Sequence, residues 1–268
     1  MAGRRGCRRS RGRRDAGGSG MTRDFTLEKY SELLDAIKKG YNTATVEQFL
    51  KGEYKKPVII LRHDVDKFPP RAVRMAKLEK ARGVSATYYF RWEAGGFPAK
   101  EIKECLNQGH EVGYHYENLS ELKDMDKALK DFGEKLELFR KIAPARTVAM
   151  HGSPVSKFCN SDMLANVNLS HYNLIGEPHI SREFLDVVYI TDSGRMWSSG
   201  AGSVRDCLGK PVGQKVKSTD ALISLIIAGK HPRLMVSAHP QRWSAGTGEW
   251  VREAVGQNVK NVGKKVLK

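Results

Sequence analysis

Cysteine is scarce in this chain, and its four copies, Cys7, Cys105, Cys159 and Cys207, are far apart. No Cys-x-x-Cys pair occurs, which argues against a zinc ribbon and leaves no disulfide framework. Reduced thiols in a cytoplasmic protein are the simplest reading. Long apolar runs are also missing. The longest, around Ala221–Ala228, is broken by Ser224 and falls well short of the roughly 18–20 residues that span a bilayer. Neither Gly-x-Gly-x-x-Gly nor Gly-x-x-x-x-Gly-Lys-Ser/Thr appears, so the nucleotide-phosphate folds lose ground. No internal repeat is present.

Acidic residues are few, 30 against 46 basic ones, giving a formal charge of +16. Much of that excess sits at the ends. Residues 1–20 hold seven arginines against Asp15 alone, in a Gly/Arg/Ser segment with no apolar centre. An export signal needs such a centre, so this extension reads as disordered, with Met21 an alternative start. Lys260, Lys264, Lys265 and Lys268 form a second basic cluster. With no finger, ribbon or aromatic RNA-binding signature between them, both clusters read as solvated tails rather than a specific nucleic-acid interface. Residues 21–268 are expected to form one domain, closing in a basic helix over 246–268.

Within that domain strands and helices alternate. Leu27, Tyr30, Leu33, Leu34 and Ile37 predict a helix over Thr26–Lys39, and Thr45 with Gln48 predicts a capping box. Val58–Leu61 is a short buried strand, followed by a helix over Arg71–Arg82. Ser85–Phe90, Glu111–Tyr114, Arg146–Met150, Leu185–Thr191 and Leu234–Ala238 are further strands. Helices are expected over Ala99–Gln108, Glu121–Ile142 (with a break near Gly133) and Thr219–Ala228. Alternating units of this kind pair in parallel, in an open doubly wound sheet or a barrel.

Five of these strands end in unusual polar residues. The first runs into His63, Asp64 and Asp66; His110, His115 and Glu117 flank another. His151, the pair Asp192 and Arg195, and His239 follow three more. Parallel α/β enzymes keep their chemistry at the carboxyl ends of their strands. Two carboxylates spaced i, i+2 there repel each other unless a cation or a shared proton compensates. A metal-dependent hydrolase fits this pattern.

The runs Arg62-His63-Asp64-Val65-Asp66, Ala86-Thr87-Tyr88-Tyr89-Phe90 and Gly109-His110-Glu111-Val112-Gly113-Tyr114-His115 resemble the polysaccharide deacetylases, the NodB-homology proteins of carbohydrate esterase family 4. The resemblance covers roughly Val58 to Trp243. It implies a distorted (β/α) barrel of about seven parallel strands and metal-dependent hydrolysis of N-acetyl or related amide groups. Carried over by position, Asp64 becomes the general base and Asp66 a ligand of a divalent ion, most simply Zn²⁺. His115 becomes the first histidine ligand and His239 the general acid. Asp192 and Arg195 fall where the family orients its base and acid.

Two departures mark a divergent branch. The family's second metal histidine lies four residues after the first, where this chain has Leu119. Glu117 is expected to fill the gap, with Asn118 or His151 as alternatives, since carboxylates are competent ligands. His151-Gly152-Ser153-Pro154 replaces the family's arginine-proline motif, and His151 is otherwise expected on the substrate side. Trp197 and Trp243 are candidates to stack on a sugar face. The substrate implied is an acetylated carbohydrate or a small amide. The competing expectation is a binding protein of the same fold that no longer holds metal.

Overall fold

The computed structural model describes residues 23–93, 95–153, 156–197, 208–213 and 215–266, with side chains described as far as residue 258. The expectations for residues 1–20, Met21, Cys7, Cys207, Pro154 and the lysine cluster at 260–268 lie outside these described residues or side chains.

Eight strands form one parallel sheet: β1 (Asn42–Ala44), β2 (Val58–Val65), β3 (Thr87–Phe90), β4 (Glu111–Tyr116), β5 (Val148–Met150), β6 (Val188–Thr191), β7 (Lys210–Pro211) and β8 (Arg233–Ala238). Seven run in the order β5-β4-β3-β2-β8-β6-β7, and β1 pairs with the first half of β2. The sheet curls into a half-barrel with β5 and β7 at its edges. This is the distorted (β/α) barrel expected from the sequence, left open on one side.

The helices are α1 (Leu27–Gly40), α2 (Val46–Leu50), α3 (Pro69–Ala81), α4 (Ala99–Asn107), α5 (Asn118–Leu122), α6 (Met125–Arg140), α7 (Thr219–Ile227) and α8 (Thr247–Val266). Those from α2 to α7 link the strands from β1 to β5 and β7 to β8, as parallel pairing requires, while 3₁₀ turns lie between β5 and β6. Thr26 caps α1 by accepting the Lys29 N–H. The Thr45/Gln48 capping box opens α2 as the spacing predicts. No helix among the described residues is long and apolar enough to cross a membrane.

Strand periodicity decides what faces the barrel interior. Residues paired in register share a face, so Arg62 lies beside Ser237, Asp64 beside Tyr89, Tyr89 beside Gly113, and His115 beside Ala149. The inner face carries a small apolar floor that includes Val58, Ile60, Tyr89, Tyr189 and Met235. The outer face carries the larger core, where Leu61, Val65, Tyr88 and Tyr114 meet the helices. Gly113 is required by this arrangement. A Cβ there would stand 2.5 Å from the Thr147 carbonyl oxygen and 2.8 Å from the Tyr89 ring.

The elements depart from expectation in four places. β2 continues past Leu61 to Val65, with all eight residues buried, so Asp64 belongs to the strand itself. The long helix expected over Glu121–Ile142 is two helices. Lys123 takes a left-handed conformation (φ 58°), and Asp124 caps α6 by accepting the Lys127 N–H, so the break falls there rather than at Gly133. Leu185 follows a 3₁₀ turn over Arg182–Phe184, and β6 starts only at Val188. The short strands β1 and β7 were not anticipated, because three and two residues carry no readable alternation.

Candidate active site

Arg62 and Asp64 lie two apart on β2 and therefore on the same inner face. Their side chains meet in a fork: Arg62 Nε donates to Asp64 Oδ1 at 2.8 Å and Nη2 to Oδ2 at 3.0 Å. Both are almost completely buried. The Tyr89 ring lies 5.6 Å from the guanidinium, in the space that Gly113 leaves free. A carboxylate this buried needs a paired cation to stay ionised, and Arg62 provides it from the same strand.

Asp66 follows just beyond β2. Gln241 Nε2 donates to its Oδ2 at 2.9 Å, while its Oδ1 is buried and accepts no hydrogen bond of ordinary geometry. That oxygen faces two imidazoles, with His115 Nε2 at 3.5 Å and His151 Nε2 at 3.8 Å. His239 Nε2 stands 3.9 Å from Oδ2. Burial opposes the charge on Asp66, but His115, His151 and His239 together outweigh it and hold the carboxyl well below the usual carboxylate range.

Each imidazole is oriented from behind. His115 Nδ1 donates to the Ala149 carbonyl at 2.9 Å, which fixes the ring with Nε2 toward the carboxylates. His151 Nδ1 lies 2.9 Å from Glu117 Oε2. Burial works to lower the His151 value, and Glu117 and Asp66 raise it above the ordinary imidazole value. Glu117 is in turn held by Arg91, whose Nε and Nη2 both donate to Oε1. Burial again opposes the charge, yet His151 and Arg91 draw Glu117 down to about 2.

His239 Nδ1 donates to Asp192 Oδ1 at 2.6 Å. Asp192 is fully buried and also accepts from the His239 backbone N–H, from Arg242 Nη1 at 2.6 Å and from Trp243 Nε1 at 3.0 Å. Arg242 and His239 keep its carboxyl below the usual value despite the burial.

The structure thus gathers Asp64, Asp66, His115, His151, Glu117, His239 and Asp192 at one end of the sheet, the expected one. Several are placed differently from expectation. Glu117, expected as a ligand, stands behind His151 and fixes that ring. His151, expected on the substrate side, faces Asp66. Asn118 is fully buried and turned away, bonded to Tyr114 and Asp131. Arg195 packs over the rings of Phe25 and Trp250 at 5.2 and 5.0 Å, and Arg242 supplies the cation at Asp192 instead. Trp197 and Trp243 are 4% and 1% exposed and pack on Phe25, so neither ring has a face open to a sugar. Their indole N–H groups bind Thr219 and Asp192.

His63 and His110 project to the opposite face. There His63 Nε2 lies 2.7 Å from Glu79 Oε1, and Tyr88 donates to Glu79 Oε2 at 2.7 Å. His110 Nε2 donates to the Ala76 carbonyl at 2.9 Å. Sequence reasoning missed Arg62, Arg91, Gln241 and Arg242. The i, i+2 spacing of Arg62 and Asp64 was the available signal for the first. Gln241 and Arg242 come two and three residues after His239, in the turn after β8.

A cleft of about 360 Å³ opens past the ends of β2 and β3, lined by Val65, Pro69, Arg91, Glu93, Phe97 and Pro98 among others; of the side chains described above only Arg91 lines it. Among the described residues no three His, Cys, Asp or Glu side chains stand in metal-holding geometry as placed. Asp66, His115 and His151 form a looser cluster than a closed site. The donor chemistry nevertheless fits a divalent ion. One carboxylate oxygen without a hydrogen-bond donor faces two imidazole Nε2 atoms whose rings are fixed through their other nitrogens, the usual support for metal-binding histidines.

No family model matches this chain, and no curated protein does. Among solved structures the chain is similar to a mutant of BA3943, a CE4 family pseudoenzyme with restored enzymatic activity. Identity is 16% over 79% of this chain and 64% of that one, with a TM-score of 0.43. Wild-type BA3943 from Bacillus anthracis gives 16% identity over 77% and 62%, with a TM-score of 0.40. Peptidoglycan deacetylase PdaC from Bacillus subtilis gives 13% over 79% and 98%, with a TM-score of 0.40. The chain spans less than two thirds of the BA3943 structures.

Proposed function

We propose that this protein is a metal-dependent amidohydrolase that removes an N-acetyl or related acyl group from a carbohydrate or similar amide. The observation that carries the reading is the arrangement around Asp66: an oxygen without a donor, two oriented imidazoles facing it, and a third imidazole nearby held by a buried aspartate. Asp66, His115 and His151 would hold a divalent ion, Zn²⁺ by donor type, with Glu117 supporting His151. Such an ion, when bound, would polarise the substrate carbonyl and acidify water.

The side chains account for the proton transfers. Asp64, kept ionised by Arg62, accepts the proton of the attacking water. His239 protonates the departing amine from Nε2, because Asp192 already accepts its Nδ1–H and stabilises the imidazolium. Arg242 and the Trp243 indole fix Asp192 so that the imidazole keeps this orientation. Turnover of an N-acetylated amino sugar by the zinc-reconstituted protein, followed as acetate released, tests the reading. Asp64→Asn should lower it by about 10²–10⁴, the usual cost of removing a general base. Loss of less than about threefold would remove Asp64 from that role.

The second reading, a binding protein of the same fold that no longer holds metal, is favoured by the absence of a closed three-ligand group among the described residues. Zinc stoichiometry separates the two.

A further inference from the structure

His151 sits where the sheet supports it least. It follows β5, an edge strand of three residues, and its backbone N–H donates to the Tyr116 carbonyl at 2.7 Å as the strand ends. Gly152 comes next, and a Cβ there would meet nothing within 4 Å. Ser153 then takes φ 28°, a left-handed value that a residue other than glycine adopts only where its surroundings enforce it.

The contacts that hold this segment meet at one side chain, Asn160, which is 1% exposed. Its Nδ2 donates to the His151 carbonyl at 2.7 Å and reaches Ser153 Oγ and Ser120 Oγ, both at 3.2 Å. Its Oδ1 accepts the Ser120 backbone N–H at 2.8 Å. The amide fits only this way round, because a carbonyl cannot donate and a backbone N–H cannot accept. Ser120 lies in α5, whose N-cap is Glu117, and its hydroxyl donates to the Glu117 carbonyl at 2.8 Å. Ser153 Oγ lies 3.1 Å from His151 Nδ1, the nitrogen that Glu117 also holds. One buried amide therefore ties the His151 segment to the turn that carries Glu117.

We propose that Asn160 is the positioning residue for His151: it joins the imidazole and the carboxylate behind it into one unit, with Nε2 turned to Asp66. Arg91 fixes the Glu117 carboxylate, and Asn160 fixes the two backbone segments between which the Glu117–His151 contact is made. Aspartate has the same shape, but its second oxygen would oppose the His151 carbonyl instead of donating to it. The consequence for zinc rests on the metal-dependent reading; the positioning of the ring does not.

Two readouts on the full chain test this. Zinc affinity is measured at pH 8 by competition with a chromophoric chelator. Exchange of the imidazole N–H protons with solvent is followed by NMR on chelator-treated protein with isotope-labelled histidine, and His151→Ala and His115→Ala assign the two signals. Asn160→Asp should weaken zinc binding about 10–100-fold, the usual cost of losing a support behind a metal ligand. It should speed exchange of the His151 Nδ1–H about tenfold or more, while the His115 Nδ1–H, held by the Ala149 carbonyl, stays within about twofold of wild type. Asn160→Ala, which adds no charge, should move both readouts in the same direction. The proposal is overturned if both variants bind zinc within about twofold of wild type, or if they speed the two imidazole protons equally, as a general loosening of the fold would. It is also overturned if the His151 proton of wild type exchanges as freely as in an unstructured peptide. Wild type that takes up no zinc would overturn the metal-dependent reading instead, and the proton exchange would still decide whether Asn160 holds the ring.

Discussion

Glu117 offers a test of how the site is built, because its carboxylate is held by two partners whose effect on charge is large. Its pKa falls from 4.5 to about 2 in the folded protein, burial opposing and His151 with Arg91 prevailing. That drop of roughly 2.5 corresponds to about 3 kcal/mol at about 1.4 kcal/mol for each pH unit. The side chain keeps 11% exposure, and solvent screening trims the figure to about 2 kcal/mol. The sign follows from linkage: for a depressed carboxyl the contribution is complete above 4.5 and is lost as pH falls toward 2. His151, raised above 6.5, contributes with the opposite dependence, full below 6.5 and lost as pH rises through its folded value. The pair is therefore strongest near pH 5.5. Urea unfolding of chelator-treated wild type and Glu117→Gln should show a gap of about 2 kcal/mol at pH 5.5, more than half lost by pH 3. A gap that stays constant from pH 6 to pH 3 would refute the reasoning, since it would mean that Glu117 stabilises without its charge.

Arg62→Met should cost about 3–5 kcal/mol in urea unfolding, because it strands the buried Asp64 carboxylate. The double variant Arg62→Met/Asp64→Leu should recover most of that loss, and a single-variant cost below about 1 kcal/mol would show that Asp64 is compensated by something other than Arg62. Gly113→Ala should destabilise by about 1–3 kcal/mol, since the new methyl meets a backbone oxygen that cannot swing away. An unchanged melting temperature would mean that β4 and β5 separate more easily than their pairing suggests.

The sequence made the sheet and the end of it that carries the candidate site legible. Val58–Leu61 is a continuous apolar run, and such runs belong to strands buried on both faces; β2 is indeed the central strand, with pairing on both edges. The polar clusters at five strand ends were readable because parallel strands place their carboxyl ends together. What could not be read was which face each residue takes. His63 and His115 look alike in sequence, yet only the register of β2 and β4 shows that His63 turns to Glu79 and His115 to Asp66. Glu117 and His151 were both visible as candidates. Their order, with the carboxylate behind the imidazole, depends on Arg91 reaching across from the end of β3, a contact between residues 26 apart in the chain. Trp197 and Trp243 were misread because rim position does not reveal burial, and here the segment around Phe25 covers them. Arg242 displaced Arg195 at Asp192 because it sits in the same turn as His239, whereas Arg195 is held between two aromatic rings.

The central claim is that Asp66, His115 and His151 hold a divalent ion. Elemental mass spectrometry on the full chain, loaded with zinc and dialysed at pH 8, where protons compete least with the metal, addresses it directly. The account predicts close to one zinc per wild-type chain, lost in Asp66→Ala, His115→Ala and His151→Ala and only weakened in Glu117→Gln. Wild-type protein that retains no zinc would contradict it and leave the binding-protein reading, and zinc retained by His151→Ala but lost in Glu117→Gln would return the third position to Glu117.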